Sequence, residues 1–171
     1  MTADANLFVA IAEVAGIFVG FGALIAIIRH GEISAAQLAR IRAMVTIGLV
    51  VIVAALVPVI LVHYGVDDHA LWVVSSAVFL VVDWAAIVLG LRSASTRQMI
   101  LDQARQSPVV AAFFWVLLEL IPVQLPLVVV IIGVNPDLDA AFYLTALAFN
   151  LFQAAFALTQ LVYLEVSRAG D

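Results

Sequence analysis

The sequence predicts an all-α membrane protein that forms a single transmembrane domain over residues 1–171, with five transmembrane helices in an up-down bundle. Three observations predict this fold. Hydrophobic residues make up 66% of the chain, charged residues make up 11%, and the mean hydropathy is +1.22; soluble domains are about 45–50% apolar and about 25% charged. Five apolar runs each reach the roughly 20 residues that cross a bilayer. The basic residues fall in alternate connections between those runs.

The five apolar runs are the predicted transmembrane spans, at residues 7–28, 41–63, 70–91, 109–133 and 140–164. We expect helices because the backbone groups of a single segment in lipid must pair with one another. The first run follows a start without lysine or arginine and is long for a signal peptide, so we expect it to remain in the protein. Short links between the runs make successive helices antiparallel neighbours.

The arginines predict the orientation in the membrane. All seven basic residues are arginines, and they lie near the connection after the first span, after the third and after the fifth: Arg29, Arg40, Arg42, Arg92, Arg97, Arg105 and Arg168. Cytoplasmic connections carry an excess of arginine and lysine. We therefore expect the N-terminus outside and the C-terminus in the cytoplasm.

The net charge and the missing residue types exclude several function classes. A formal net charge of −5 argues against a nucleic-acid partner. Cysteine and lysine are both absent, which excludes disulfides, thiolate metal sites and lysine-dependent chemistry. The sequence also lacks the Gly-x-Ser-x-Gly, His-Glu-x-x-His and phosphate-loop motifs. We therefore expect neither an enzyme nor a cofactor.

Three carboxylates lie inside the predicted spans: Glu13 in the first, Asp83 in the third and Glu119 in the fourth. A charged, unpaired side chain at mid-bilayer costs roughly 2.5–3.5 kcal/mol. No arginine or histidine lies at a comparable depth. Each carboxyl group must therefore be neutral, hydrogen-bonded by polar neighbours, or in contact with water or cations. This makes all three candidates for an ion pathway.

The fourth span adds Gln124, Pro122 and Pro126 to Glu119 within eight residues. Each proline removes a backbone N–H and disturbs the carbonyl one turn earlier. Freed carbonyls beside a carboxylate are oxygen ligands for a cation or for water, as at the interrupted helices of transporters; the alternative is a simple kink. Pro58 in the second span has no polar neighbour, and we interpret it as a kink.

Amide side chains mark the fifth span. Asn150 and Gln153 belong to a stripe of polar and small residues with helical spacing. We do not expect this stripe to face lipid, so both amides join the candidate ion pathway; the alternative is that they only hold the helices together. In the third span, the indole N–H of Trp84 beside Asp83 can serve a neighbouring acceptor.

The link between the second and third spans contains a weak candidate metal site. His63, Asp67, Asp68 and His69 lie there. Two imidazoles and two carboxylates can bind zinc or respond to pH. The alternative, solvation at the membrane interface, is typical of such residues.

Small residues in the first span indicate helix packing. Gly16 and Gly20 form a face that lets another backbone approach closely. The surrounding stretch, residues 12–24 (AEVAGIFVGFGAL), followed by Arg29, resembles the opening of small multi-helix bacterial membrane proteins of unassigned function. The resemblance implies a multi-pass protein of the bacterial plasma membrane and supplies no mechanism.

Two function classes remain. The first is a homo-oligomeric channel for protons or small cations, in which Glu13 attracts cations at the outer mouth and the deeper polar residues supply oxygen ligands. Several copies are expected because five helices of this size rarely enclose an aqueous path alone. The second is a non-catalytic accessory or scaffolding subunit whose buried polar groups fix helix packing. A carrier of lipids or hydrophobic small molecules is a third hypothesis.

Overall fold

The computed structural model describes residues 2–28, 35–94, 97–98, 101 and 115–169, and each regular element in them is a helix. Helix α1 spans Thr2–Ile28, α2 spans Ala35–His63 and α3 spans Asp68–Arg92. Helix α4 has a π-helical part, Trp115–Gln124, and an α-helical part, Leu125–Ile132. A short 3-10 turn, Pro136–Leu138, leads into α5, Asp139–Ala169. The predicted all-α class is confirmed.

Four helical stretches in the described residues are long and apolar enough to cross a membrane: Ala5–Ile28, Gln37–His63, Asp68–Arg92 and Pro136–Thr159. They match the first, second, third and fifth predicted spans. At the fourth, the described apolar helix Glu119–Ile132 is shorter, and residues 109–114 lie outside the described part. The claim of five spans and the orientation in the membrane stay predictions.

Helix α2 lies at the centre of the bundle. It packs against α1, α3 and α5, and α4 packs against α3 and α5. Apolar side chains from all five helices form the core between them, among them the fully buried Val51, Ala55, Phe79, Leu127 and Leu147. Helix α1 lies at the edge, where it contacts mainly α2.

The close approach of α1 to α2 does not use the glycines that the sequence indicated. A Cβ at Gly22 would lie 2.6 Å from the side chain of Met44, and one at Gly48 would lie 2.7 Å from Val19. At Gly16 and Gly20, by contrast, no neighbouring atom of the described residues lies within 4 Å. Gly20 and Gly22 point about 200° apart around the helix. The packing role predicted for Gly16 and Gly20 is therefore not met within one chain.

Pro58 connects α2 to α5. Proline has no N–H, so the carbonyl of Ala54, one turn earlier, loses its helical partner. The hydroxyl of Tyr143 on α5 donates a hydrogen bond to this carbonyl at 2.6 Å, in the buried core. Helix α2 continues through the proline to His63. The residue that we interpreted as a kink thus exposes an acceptor that ties two helices together.

Candidate functional site

Six polar side chains from three helices meet inside the bundle, and we call them the carboxylate cluster. They are Asp83 and Trp84 on α3, Glu119 and Gln124 on α4, and Asn150 and Gln153 on α5. The structure therefore brings together two of the three intramembrane carboxylates and all three of the amides that the sequence singled out. Their proposed role in an ion pathway stays a prediction.

Gln124 joins the two carboxyl groups. Its Nε2 donates to Asp83 Oδ2 at 2.5 Å and to Glu119 Oε1 at 2.7 Å. The indole Nε1 of Trp84 donates to Gln124 Oε1 at 3.1 Å. Because the amide oxygen accepts this N–H, the amide nitrogen has to face the carboxyl groups. Trp84 thus fixes the orientation of Gln124.

Helix α5 supplies one more N–H to each carboxyl group. Asn150 Nδ2 lies 3.4 Å from Asp83 Oδ1, and Gln153 Nε2 lies 2.9 Å from Glu119 Oε2. Each of the four carboxylate oxygens therefore has one amide N–H beside it. The contact from Asn150 is long for a hydrogen bond, and the Oδ1 of Asn150 has no partner among the described residues.

The π-helical part of α4 places Glu119 beside Gln124. Residues five apart on an α-helix point about 140° from each other, so their side chains do not meet. A π-helix forms its hydrogen bonds between residues five apart and thereby aligns them. Pro122 lies inside this part and lacks the N–H of a regular α-helical turn. The irregular helix is therefore what lets one amide reach both acids.

No positive charge balances the cluster in the described part of the chain. Neither Asp83 nor Glu119 forms an ion pair with an arginine or histidine there, and Asp83 is only 6% exposed. The two carboxyl groups contact the same amide nitrogen, Nε2 of Gln124, and Glu119 is partly buried. Two ionised carboxylates this close repel each other, and neutral amides offset only part of the cost. The arrangement suits a pair that holds a proton or a bound cation.

An aromatic layer covers the cluster toward the N-terminal ends of α3 and α5. Tyr143 is its centre, with ring centroids 6.1 Å from Phe8, 5.6 Å from Trp72 and 5.8 Å from Phe79. Phe79 lies one helical turn before the carboxylate of α3. A hydrated ion therefore meets closely packed rings on this side of the cluster.

Glu13 lies outside the cluster. Its side chain is exposed on α1, and no described residue forms a hydrogen bond or ion pair with it. The sequence grouped Glu13 with the deeper acids because all three lie in apolar spans. Depth along a helix does not determine the face of the bundle that a side chain occupies, so this grouping is not met within one chain.

The candidate metal site is not assembled. Among the described residues, no three histidine or acidic side chains come together as metal ligands. His63 donates from Nδ1 to a carbonyl of its own helix at 2.8 Å. His69 instead pairs with Asp139 at the start of α5, with Nδ1 2.5 Å from Oδ2. The sequence does not indicate this pair, because its members lie 70 residues apart and each is typical of an exposed helix start.

Comparison with protein families, with curated proteins and with solved structures finds no match to this chain. The resemblance of residues 12–24 to small bacterial membrane proteins therefore stays a prediction.

Proposed function

We propose that the chain is a membrane protein that conducts protons, or small cations, past the Asp83–Glu119 pair. One observation carries the proposal. Two acids meet inside a bundle of apolar helices, share the amide of Gln124, and have no basic partner in the described residues. A pair with one buried and one partly buried acid is costly as a purely structural device, because each ionised form needs compensation.

The donor arrangement favours a proton over a metal cation. All four carboxylate oxygens face amide N–H groups, and the amide oxygen of Gln124 faces Trp84. A hard cation needs several oxygen ligands, and here it would share the carboxylate oxygens with N–H groups, which carry partial positive charge. A proton needs only one free lone pair on one carboxylate oxygen.

The finer architecture is part of the proposal. We take the chain as a five-span protein of a bacterial plasma membrane with its N-terminus outside, working as a homo-oligomer. The exposed Glu13 and the uncovered face at Gly16 and Gly20 support contacts between copies. Helix α1 is also the least buried of the four candidate spans, with 11% of its most apolar window buried in the bundle.

A second function is favoured by a different observation. The amide network links α3, α4 and α5, and the aromatic layer closes one side of it. A non-catalytic accessory or scaffolding subunit needs only this, because polar contacts between membrane helices specify which helices pack. Such a subunit would transfer no protons.

Proton flux into liposomes separates the two functions. The purified protein is reconstituted into liposomes that contain a pH-sensitive dye, and a potassium gradient with valinomycin drives proton entry. We expect flux above that of empty liposomes, and a decrease of about tenfold or more in Asp83→Asn and in Glu119→Gln, the size of effect that about 1.4 kcal/mol in the barrier produces. The control, Gln98→Leu, changes an exposed polar side chain beyond the C-terminal end of α3, outside the cluster, and should retain wild-type flux. Wild-type flux at the level of empty liposomes, or unchanged flux in both cluster variants, would favour the accessory subunit.

A further inference from the structure

Four buried side-chain atoms have no hydrogen-bond partner within the described part of the chain. They are Ser75 Oγ, Ser76 Oγ, Asp139 Oδ1 and Asn150 Oδ1, and each belongs to a residue that is at most 1% exposed. Native proteins leave few buried polar groups unsatisfied, and those that remain call for ordered water or an ion. All four lie on α3 and α5, although five helices form the bundle.

These atoms lie between two polar ends of the same helix pair. Helices α3 and α5 run in the same direction, as the contacts of Tyr143 with Trp72 and of Asn150 with Asp83 require. The His69–Asp139 pair lies at the N-terminal ends of these two helices. Two helical turns, about 10 Å, separate His69 from Ser76, and two more separate Ser76 from Asp83. We call this row, from His69–Asp139 to Asp83–Asn150, the α3–α5 seam.

We propose that the α3–α5 seam is the route by which protons reach the carboxylate cluster, with His69 and Asp139 as its entrance. This inference rests on the proposed function and names the path within it. Asp139 accepts from His69 through Oδ2, while its buried Oδ1 is free to accept from a water further inside. The half-exposed ring of His69 connects this buried carboxylate to solvent.

The chemistry along the seam needs only O–H and N–H bonds to form and break. His69 Nε2 takes a proton from solvent as His69 Nδ1 gives its proton to Asp139 Oδ2, so the imidazole stays neutral and Asp139 becomes a carboxylic acid. Rotation of this acid turns its O–H toward bound water, which accepts the proton, and a flip of the imidazole ring returns an N–H to the side of Asp139. Bound water and the hydroxyls of Ser75 and Ser76 each accept one proton and release another, because a hydroxyl is both donor and acceptor. The Asp83 carboxylate accepts the last proton, and each group between solvent and Asp83 returns to its starting protonation state.

Tyr143 restricts the seam to protons. It lies between Trp72 and Phe79 in the aromatic layer, at the level of the two serines. Its hydroxyl donates a hydrogen bond to the carbonyl of Ala54. A single file of hydrogen-bonded water passes more easily between packed rings than a hydrated metal ion does. The aromatic layer thus acts as a filter by size.

The charges at the entrance favour proton capture. Besides His69 and the buried Asp139, three exposed carboxylates lie at this end of the bundle, Asp67, Asp68 and Asp137. The imidazole Nε2 of His69 faces the turn at Gly133 after α4. No arginine of the described residues belongs to this end. An acidic mouth raises the local concentration of cations, protons included.

Hydrogen exchange at an introduced thiol tests whether water enters the seam, because water is small enough to pass the aromatic layer. Since the chain contains no cysteine, Ser76→Cys introduces a unique S–H group, whose infrared stretching band shifts in heavy water only as fast as water reaches the thiol. The matched dry control is Val51→Cys, which is equally buried but lies on α2. We expect exchange in Ser76→Cys to be about tenfold faster or more than that in Val51→Cys. Equal rates would overturn the inference whatever the protein transports.

Proton flux gives the second arm of the test. Ser75→Ala/Ser76→Ala removes two unsatisfied hydroxyls, a change that costs the fold little, and Thr145→Val removes an exposed hydroxyl of α5 as control. We expect flux to fall about tenfold or more in the serine variant only. Flux that needs Glu119 but not the serines would overturn the seam and leave the proposed function standing. Wild-type flux at background would overturn the proposed function itself.

Discussion

Gln124 is the residue on which the geometry of the cluster depends most. It gives one N–H to each carboxyl group and receives one from Trp84. A neutral side chain in this position satisfies both acids without adding charge. Its loss leaves the buried Asp83 and the partly buried Glu119 each short of a donor, and an unsatisfied buried polar group costs about 1–3 kcal/mol.

Gln124→Leu should therefore lower the free energy of unfolding by about 1–3 kcal/mol. The measurement is denaturant-induced unfolding in detergent micelles. Gln98→Leu, at an exposed position beyond α3, is the matched control and should stay within about 0.5 kcal/mol of the wild type. Equal stability of the two variants would show that the Gln124 amide does not hold the acids.

Most cluster residues could be predicted from the sequence, but their partners could not. Asp83, Glu119 and Gln124 stand out because polar residues in apolar spans are expensive. The pairing of Glu119 with Gln124 depends on a π-helix, and a helical wheel with 3.6 residues per turn separates these two side chains. The partnership of His69 with Asp139 was missed for a related reason: it depends on tertiary packing, and each residue alone suits solvent.

At the scale of the helix, prolines leave backbone carbonyl groups without their helical N–H, and other side chains can then bond to these carbonyls. Pro58 leaves the carbonyl of Ala54 without a helical N–H, and Tyr143 occupies it. Pro122 lies in the π-helical part of α4. The sequence located these irregularities correctly as prolines in spans. The sequence could not show which side chain of another helix forms a hydrogen bond with the backbone group that each proline leaves free, because that depends on the register between helices.

A double-mutant cycle tests the link between Pro58 and Tyr143. Tyr143→Phe should cost about 1–3 kcal/mol of unfolding free energy, because the Ala54 carbonyl then remains buried and unpaired. In a Pro58→Ala background the restored N–H serves that carbonyl, so the same change should cost less, with a coupling of about 0.5–3 kcal/mol. Tyr64→Phe, at a residue that is 81% exposed, is the control. Strictly additive effects of the two changes would contradict the link.

At the scale of the whole molecule, composition alone predicted the all-α class correctly, and four of the predicted spans match long apolar helices. The face of each helix that contacts its neighbours was harder to predict. Gly16 and Gly20 were expected to pack against another backbone, but α1 approaches α2 through Gly22 and Gly48. Small residues lie on more than one face of α1, so spacing alone does not identify the face that meets α2.

The α3–α5 seam and the carboxylate cluster give the molecule one polar row within an apolar bundle. It runs from His69–Asp139, past the aromatic layer around Tyr143, to the two acids. Everything proposed about proton movement requires that the acids at its inner end hold a proton between them. This requirement follows because Asp83 is buried, Glu119 is partly buried, and the donors to both among the described residues are neutral amides.

Infrared spectroscopy of the purified protein at neutral pH tests that requirement directly. We expect a C=O stretching band of a protonated carboxyl group in the wild type, which shifts on exchange into heavy water. The band should disappear in Asp83→Asn/Glu119→Gln and persist in Asp137→Asn. A wild-type spectrum that contains only ionised carboxylate bands, or a protonated band that survives in the double variant, would show that Asp83 and Glu119 do not hold a proton between them.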